Sequence, residues 1–324
     1  MSRRSRSRYE RAFPHGLLFH RFRRPDELAA PQGALSAAEF DDLLQFAGID
    51  DILAPDEWMR RLAEGELEPT DLCITFDDGL ASQVETALPV LQRHGLKAFW
   101  FVYTCVQDGR PVRGELHSHA AAECGGMESL VSDFLRRCPR SLARELATPA
   151  FDAYAARMRV EAPFYSTSDL EYRFLRNREA SRPEVEHILG ELLVERGVDL
   201  QAIAHRIWIG RSALHDLSAS GHRIGLHTHD HPYDMTVLGL EAQREQYEVN
   251  ARHVRAITGL VPDCMAHPLN SYNADTLVVL EELGIQCGFR ANTRMTGSTR
   301  SGPSALEMPR EDAAVMRRKM EAPG

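Results

Sequence analysis

Four residues in two short segments have the types and spacing for metal-assisted hydrolysis. In "DLCITFDDGLASQ", Asp71 to Gln83, an apolar run ends in two adjacent carboxylates, Asp77 and Asp78, and is broken by Gly79. Far downstream, "GLHTHDHPYDM" carries His227 and His231 with three residues between them. Adjacent carboxylates at the end of a buried strand repel each other and are costly to desolvate, so they call for a cationic partner. Imidazoles at this spacing converge on one cation, and Asp77 or Asp78 supplies an oxygen ligand. Two His and one carboxylate leave a position for water, which is the layout of a catalytic rather than a structural zinc site. The second carboxylate is then free for proton transfer.

Each segment follows a short apolar run, and the surrounding chain alternates strand-like and helix-like patterns, as in an α/β protein with parallel strands. "HGLLFHRF" reads as a first strand, and "LSAAEFDDLLQFAG" as a helix with Ser36 and Glu39 in capping-box spacing and Gly48 at its end. "EWMRRLAEG" and "VETALPVLQRHG" read as helices, "LCITF" and "KAFWFVYT" as strands. The alternation resumes with "HRIGLH", "LEAQREQYEVNARHVRAITG", "CMAH", "NADTLVVLEELG" and "IQCGFR". Between residues 107 and 205 it stops. That stretch, with "SLVSDFLRRC" and "VEHILGELLVERG" as amphipathic helices, reads as a helical insertion. The His117–His119 "HSH" within it reads as solvated loop, since nothing acidic stands at ligand spacing.

A chain of 324 residues with 43% hydrophobic and 26% charged residues is an ordinary globular protein, which excludes disorder and collagen-like repeats. The net charge of −9 argues against nucleic acid or an anionic membrane surface as partner. The basic start "MSRRSRSR" reads as a frayed tail, because no long apolar segment follows it, and no later stretch is long enough for a membrane helix. The expected location is cytoplasmic. Cys73, Cys105, Cys124, Cys138, Cys264 and Cys287 are scattered, without the spacing of a zinc or redox pair, and read as reduced structural thiols.

With "TFDDG" after one strand and "HTHDH" after another, the chain resembles the polysaccharide deacetylases of the NodB-homology type, carbohydrate esterase family 4. The resemblance implies a distorted (β/α)7 barrel, here split into residues 15–106 and 206–310 around the insertion at 107–205, with a basic flexible tail at 1–14 and a C-terminal tail at 311–324. By motif position it implies Asp77 as general base and Asp78, His227 and His231 as ligands of a divalent metal: zinc, cobalt, nickel or manganese. "CMAHPLNSYN" matches the third motif with Pro268 at its proline, and implies the Leu269 N–H as oxyanion donor. Ala266 stands where many members have Arg, and Asn270 where they have Gly. "LEMPRED" is similar to the Leu-Pro-Arg segment of exopolysaccharide-type members, so Arg310 is expected to supply the guanidinium that orients Asp77. The family's C-terminal general-acid His is absent, since no His follows His267; His20 and His267 are the remaining candidates. His229 and Asp230 read as solvent-facing loop, Trp100 and Trp208 as core, and Tyr233 as a ring able to stack on a sugar.

The implied activity is metal-dependent removal of an N-acetyl or similar acyl group from an amino sugar, small or carrier-linked, in surface-glycan or nucleotide-sugar metabolism. Two alternatives are a ureide hydrolase of the same superfamily and a catalytically impaired sugar-binding barrel. The insertion is expected to act as a substrate-recognition cap, presenting Arg173, Arg176 or Arg178 to an anionic group on the substrate.

Overall fold

The apolar runs HGLLF, LCITF and AFWFV are strands β1 (His15–Phe19), β2 (Leu72–Phe76) and β3 (Ala98–Val102), and every residue in them is buried. Burial of both strand faces is the signature of a parallel sheet covered by helices. With β4 (Arg223–Leu226), β5 (Cys264–Ala266), β6 (Cys287–Phe289) and β7 (Arg310–Asp312) they form one seven-stranded sheet in the order β6-β5-β4-β3-β2-β1-β7. All strand pairs are parallel. A parallel bridge between Phe289 and Met308 draws the two edges together, so the sheet is a nearly closed barrel, the distorted (β/α)7 architecture expected. This computed structural model describes residues 9–24, 30–161, 165–178, 180–293 and 304–322.

The two-residue side-chain period of a strand divides the barrel into an inside and an outside. Cys73, Phe99, Phe101, Cys264, Ala266, Cys287 and Phe289 form one buried cluster, while their sequence neighbours Ile74, Ala98, Trp100, Met265 and others pack in a second cluster with the helices. The interior set mixes thiols and alanine with stacked phenylalanines, Phe99 on Phe101 at 5.9 Å. The same period continues past the strand ends. Asp77 and His227 are in step with the inward residues of their strands, and both are buried above this layer. Gly16 serves the same interior: a Cβ there would meet Arg310 Cγ at 3.0 Å, so the position is kept small for the arginine stem.

The expected helix after β1 spans Ala37–Ala47, with the Ser36–Glu39 capping box formed and Gly48 closing it. The chain divides into two compact units: residues 1–26, 33–110 and 208–324 form the barrel unit, and residues 27–32 and 111–207 the other. The second unit is helical, with Gly126–Arg137 and Arg182–Glu195 among its helices. One expectation fails inside it. "HSH" is not loop: His117 and His119 lie in the helix Arg113–Glu123 and are buried, with His119 Nε2 at 3.1 Å from Glu115 Oε1, one helical turn back. Glu115 is the acidic partner that the sequence reading missed. The arginines assigned to a substrate are engaged locally: Arg173 lies over the Tyr165 ring, Arg176 over Tyr172, and Arg178 over Phe174 with an ion pair to Glu145.

Both termini of the barrel unit are also more ordered than expected. Of the segment 311–324 expected as a tail, the described residues 311–322 are ordered, because Asp312 caps a helix, Ala313–Glu321, that follows β7 directly. At the other end, residues 1–8 lie outside the described residues, but Tyr9 is buried and its hydroxyl hydrogen-bonds Glu311 and His15. Arg11 pairs with Asp51 at 2.8 Å. Among the described residues, no helix is long and apolar enough to cross a membrane.

Candidate active site

Asp77 and Asp78 follow β2, and the turn beyond them requires a glycine. Gly79 has φ +60°, and a Cβ on it would stand 2.9 Å from Val102 Cγ1. Asp78 itself is left-handed at φ 74°. The positive-φ non-glycine residues among those described are Asp78, Thr228, His231, Leu269 and Asn270, and all five belong to the three loops after β2, β4 and β5 that carry the motifs. A non-glycine in this region costs on the order of 1–3 kcal/mol, and such strain persists where the surroundings impose it for a purpose. The loops that the sequence singled out for chemistry are thus also the strained ones.

Within these loops the expected residues meet. His227 Nε2 lies 3.6 Å, and His231 Nε2 3.5 Å, from Asp78 Oδ1. Ligands on a tetrahedral ion at bond lengths of about 2.1 Å stand about 3.4 Å apart, so both separations from Asp78 are close to those of ligands on one divalent ion. His227 Nδ1 donates to the Ala266 carbonyl at 2.9 Å, which fixes the tautomer and turns the Nε2 lone pair toward Asp78. The buried Asn250 side chain accepts from the His227 N–H at 2.9 Å and donates to Val102 O at 3.0 Å and Thr104 Oγ1 at 3.1 Å. Tyr103, which receives the Trp208 Nε1–H at 2.5 Å, packs edge-on against His231.

Asp77 is answered by a different cation. Arg310, fully buried on β7, donates Nη1 to Oδ1 at 2.6 Å and Nη2 to Oδ2 at 2.7 Å, a bidentate clamp, while its Nε–H goes to Arg290 O at 2.6 Å. Burial alone would push the Asp77 carboxyl up, but the Arg310 guanidinium and His227 outweigh it and hold the group far below the usual carboxylate range. At Asp78 burial is likewise outweighed, there by the nearby imidazoles of His227 and His231. The apparent cost of adjacent carboxylates is therefore divided: a guanidinium neutralises one, and two imidazoles face the other.

His20 Nε2 stands 3.8 Å from Asp77 Oδ2, with its side chain 39% exposed. Gln83 braces this juxtaposition by donating to the carbonyls of His20 at 2.8 Å and Asp77 at 2.6 Å. His267, the other acid candidate, is wholly buried, donates Nε2–H to Leu306 O at 2.8 Å and stacks on Tyr272. Burial pushes its imidazole down to about 3, so it is a neutral structural residue. Leu269 is left-handed and 48% exposed beside Pro268.

Sequence reasoning missed Asn250, although a signal was present. It shares a helical face with Gln243, Tyr247 and Val254, all of them buried, and an amide on a largely apolar stripe implies a satisfied buried hydrogen bond. His229 was misplaced. It is buried, with Nδ1 at 2.9 Å from Thr104 Oγ1, and only Asp230 of that pair faces solvent.

The model of the polysaccharide deacetylase family matches residues 64–118 and 183–288. Those blocks contain Asp77, Asp78, His227, His231 and Leu269; His20 and Arg310 lie outside them. No curated protein matches the chain. Among solved structures it is similar to the Streptococcus pyogenes deacetylase PplD in complex with acetate, at 15% identity and TM-score 0.53, covering 97% of this chain and 100% of that one. It is also similar to IcaB from Ammonifex degensii, at 16% identity and TM-score 0.50 over 92% and 90% of the two chains. A polysaccharide deacetylase from Bacillus cereus matches at 11% identity and TM-score 0.52, over 96% of this chain and 70% of that one. These identities speak for a shared fold, and the family model for descent: the chain belongs to the polysaccharide deacetylase family and is an enzyme of carbohydrate deacetylation.

Proposed function

We propose that this enzyme hydrolyses the amide of an N-acetylated, or similarly acylated, amino sugar, with a divalent ion held by Asp78, His227 and His231. The observation that carries the reading is the bidentate Arg310–Asp77 pair set beside that donor cluster. It keeps one carboxylate ionised and oriented without making it a ligand, which is what a general base needs. When bound, the ion supplies Lewis acidity toward the amide carbonyl and the attacking water.

The chain's own groups account for the remaining steps. Asp77 accepts the proton of the water as it attacks, while Arg310 holds both carboxylate oxygens in place. The Leu269 N–H donates to the oxygen on which charge develops. His20 gives a proton to the departing amine, from a ring that reaches both solvent and Asp77. Zinc is the ion proposed first, with cobalt, nickel and manganese suited to the same donors, and the substrate is a small or carrier-linked sugar.

Acetate release from N-acetylglucosamine oligomers and from a nucleotide-linked N-acetylamino sugar tests this directly. Release should stop on chelation and return with Zn2+, Co2+, Ni2+ or Mn2+. Sugar binding without release, release indifferent to chelation, or hydrolysis of a cyclic ureide instead would overturn the reading.

A further inference from the structure

We infer that Asp108, His229 and His253 form a second site for a divalent transition ion, separate from the Asp78, His227 and His231 cluster. Three elements of the barrel unit converge there. Asp108 closes the turn Cys105–Asp108 after β3, His229 is on the loop after β4, and His253 is on the helix Leu240–Thr258. Asp108 Oδ2 lies 3.6 Å from His229 Nε2 and 3.4 Å from His253 Nε2, and the two imidazoles stack at 5.3 Å. These are the donor separations of a tetrahedral ion, about 3.4 Å for bonds of about 2.1 Å, and they match those of the first cluster.

The tautomer of His229 is settled by its neighbours. Arg110 Nη2 sits 2.6 Å from His229 Nε2, and a guanidinium can only donate, so Nε2 carries the lone pair. Nδ1 then bears the proton and gives it to Thr104 Oγ1, the outer-shell bond that ligating histidines make to fix the ring. Backbone bonds add rigidity, since the N–H groups of Thr104 and Cys105 both donate to His229 O, at 3.2 and 2.9 Å. The ring is held with its lone pair turned toward the Asp108 carboxylate and a cation.

Arg110 is the cation that stands there now, and it is built to leave. Its side chain is half-exposed and already holds Asp230 at 2.8 Å through Nη1, so it can release His229 and keep an ion pair. Two imidazoles and one carboxylate select zinc, cobalt, nickel or copper over magnesium or calcium, which take oxygen donors. Because His229 lies between His227 and His231, an ion here would pin the loop that carries both.

The experiment is metal stoichiometry and affinity on the metal-stripped full-length protein titrated with Zn2+, read by calorimetry and elemental analysis, with no reliance on turnover. Two ions per chain are expected, the weaker one lost in His253→Ala and in Asp108→Asn. Arg110→Gln should tighten that ion about ten-fold by removing the competing occupant. Should His253→Ala fail to fold, Asp108→Asn alone carries the test, because Asp108 is at the surface. Only one ion at saturating zinc in both the wild type and Arg110→Gln, or two ions persisting in Asp108→Asn, would overturn the inference.

Discussion

Two constellations of two histidines and one aspartate share the loop after β4, with donor separations of 3.5 and 3.6 Å in one and 3.4 and 3.6 Å in the other. They differ in burial and in where the nearest guanidinium sits. The Asp78 side chain is 13% exposed and that of Asp108 43%. Beside the first cluster, Arg310 pairs with a carboxylate outside the donor set, Asp77. In the second, Arg110 sits on a donor nitrogen. Spacing therefore does not distinguish a dedicated site from a conditional one. Burial and the position of the counter-charge do.

The largest effect separates the clusters by turnover. Asp77→Asn removes the proton acceptor and should lower kcat by up to about 10⁴. It also leaves Arg310 buried without its partner, which destabilises by about 3–5 kcal/mol. The tightly held metal should stay bound. Asp108→Asn, a like change in the exposed cluster, should leave kcat and stability close to wild type. Comparable losses from the two substitutions, in kinetics and in denaturant unfolding, would erase the distinction.

A histidine outside both clusters provides the pH reference. His222 Nδ1 accepts from Ala98 N–H at 3.1 Å and Trp100 Nε1–H at 3.2 Å, so its protonation would set a third N–H against two others. Burial, with Lys97 nearby, pushes the imidazole down to about 4. A folded value below the unfolded one means that the unfolded chain takes up the proton first. The contribution is complete above about pH 6.5 and is lost as pH falls from there through about 4, amounting to about 3 kcal/mol at most. Melting temperature measured against pH should show this slope equally with zinc and with chelator, and His222→Gln should reduce it, leaving the share of buried His117 and His267, which burial also pushes down. A slope that vanishes on adding zinc would assign it to the metal clusters instead.

What the sequence revealed followed the range of the interaction. The Asp77–Asp78 and His227–His231 pairs are local and lie beside apolar runs, so their spacing was readable, and so was the Ser36–Glu39 cap. Arg310 meets Asp77 across 233 residues, and only the family resemblance pointed to it. Asp108, His229 and His253 come from a turn, a loop and a helix, and no local pattern joins them. The "HSH" segment was misread because its helix, Arg113–Glu123, is buried on more than one face, from Glu115 through Ala121, which erases the amphipathic period. The C-terminal helix was missed because its run of charges, "RRKME", concealed the single buried Met316 that anchors it.

His20→Gln should lower kcat by about 10², since an amide cannot protonate the leaving amine. Metal stoichiometry and the Asp77–Arg310 pair should be unaffected. The diagnostic readout is the leaving group: an acylated substrate whose leaving group departs without a proton should be cleaved by the variant at close to the wild-type rate. An equal loss on both kinds of substrate would make His20 a positioning residue and leave the proton donor elsewhere.

The smallest expected effect bears on whether the two clusters act separately. Thr104 Oγ1 lies between them: it receives the His229 Nδ1–H, and it accepts from Asn250 Nδ2, whose amide oxygen in turn accepts the His227 N–H. Thr104→Val keeps the shape and removes the oxygen. His227 keeps its bonds to Asn250 Oδ1 and Ala266 O, and Asn250 keeps Val102 O, so the first cluster retains its tautomer and its aim. Once the ion has displaced Arg110 from Nε2, His229 lacks the Thr104 oxygen that holds its proton on Nδ1, and its tautomer is less firmly set. Outer-shell losses of this kind weaken metal binding by about ten-fold or more, so the second ion should loosen by about that factor while the first is unmoved. Equal loosening of both ions would mean that the Thr104–Asn250 link makes the clusters one coupled unit, and the contrast between a dedicated and a conditional site would then fail at the residue that joins them.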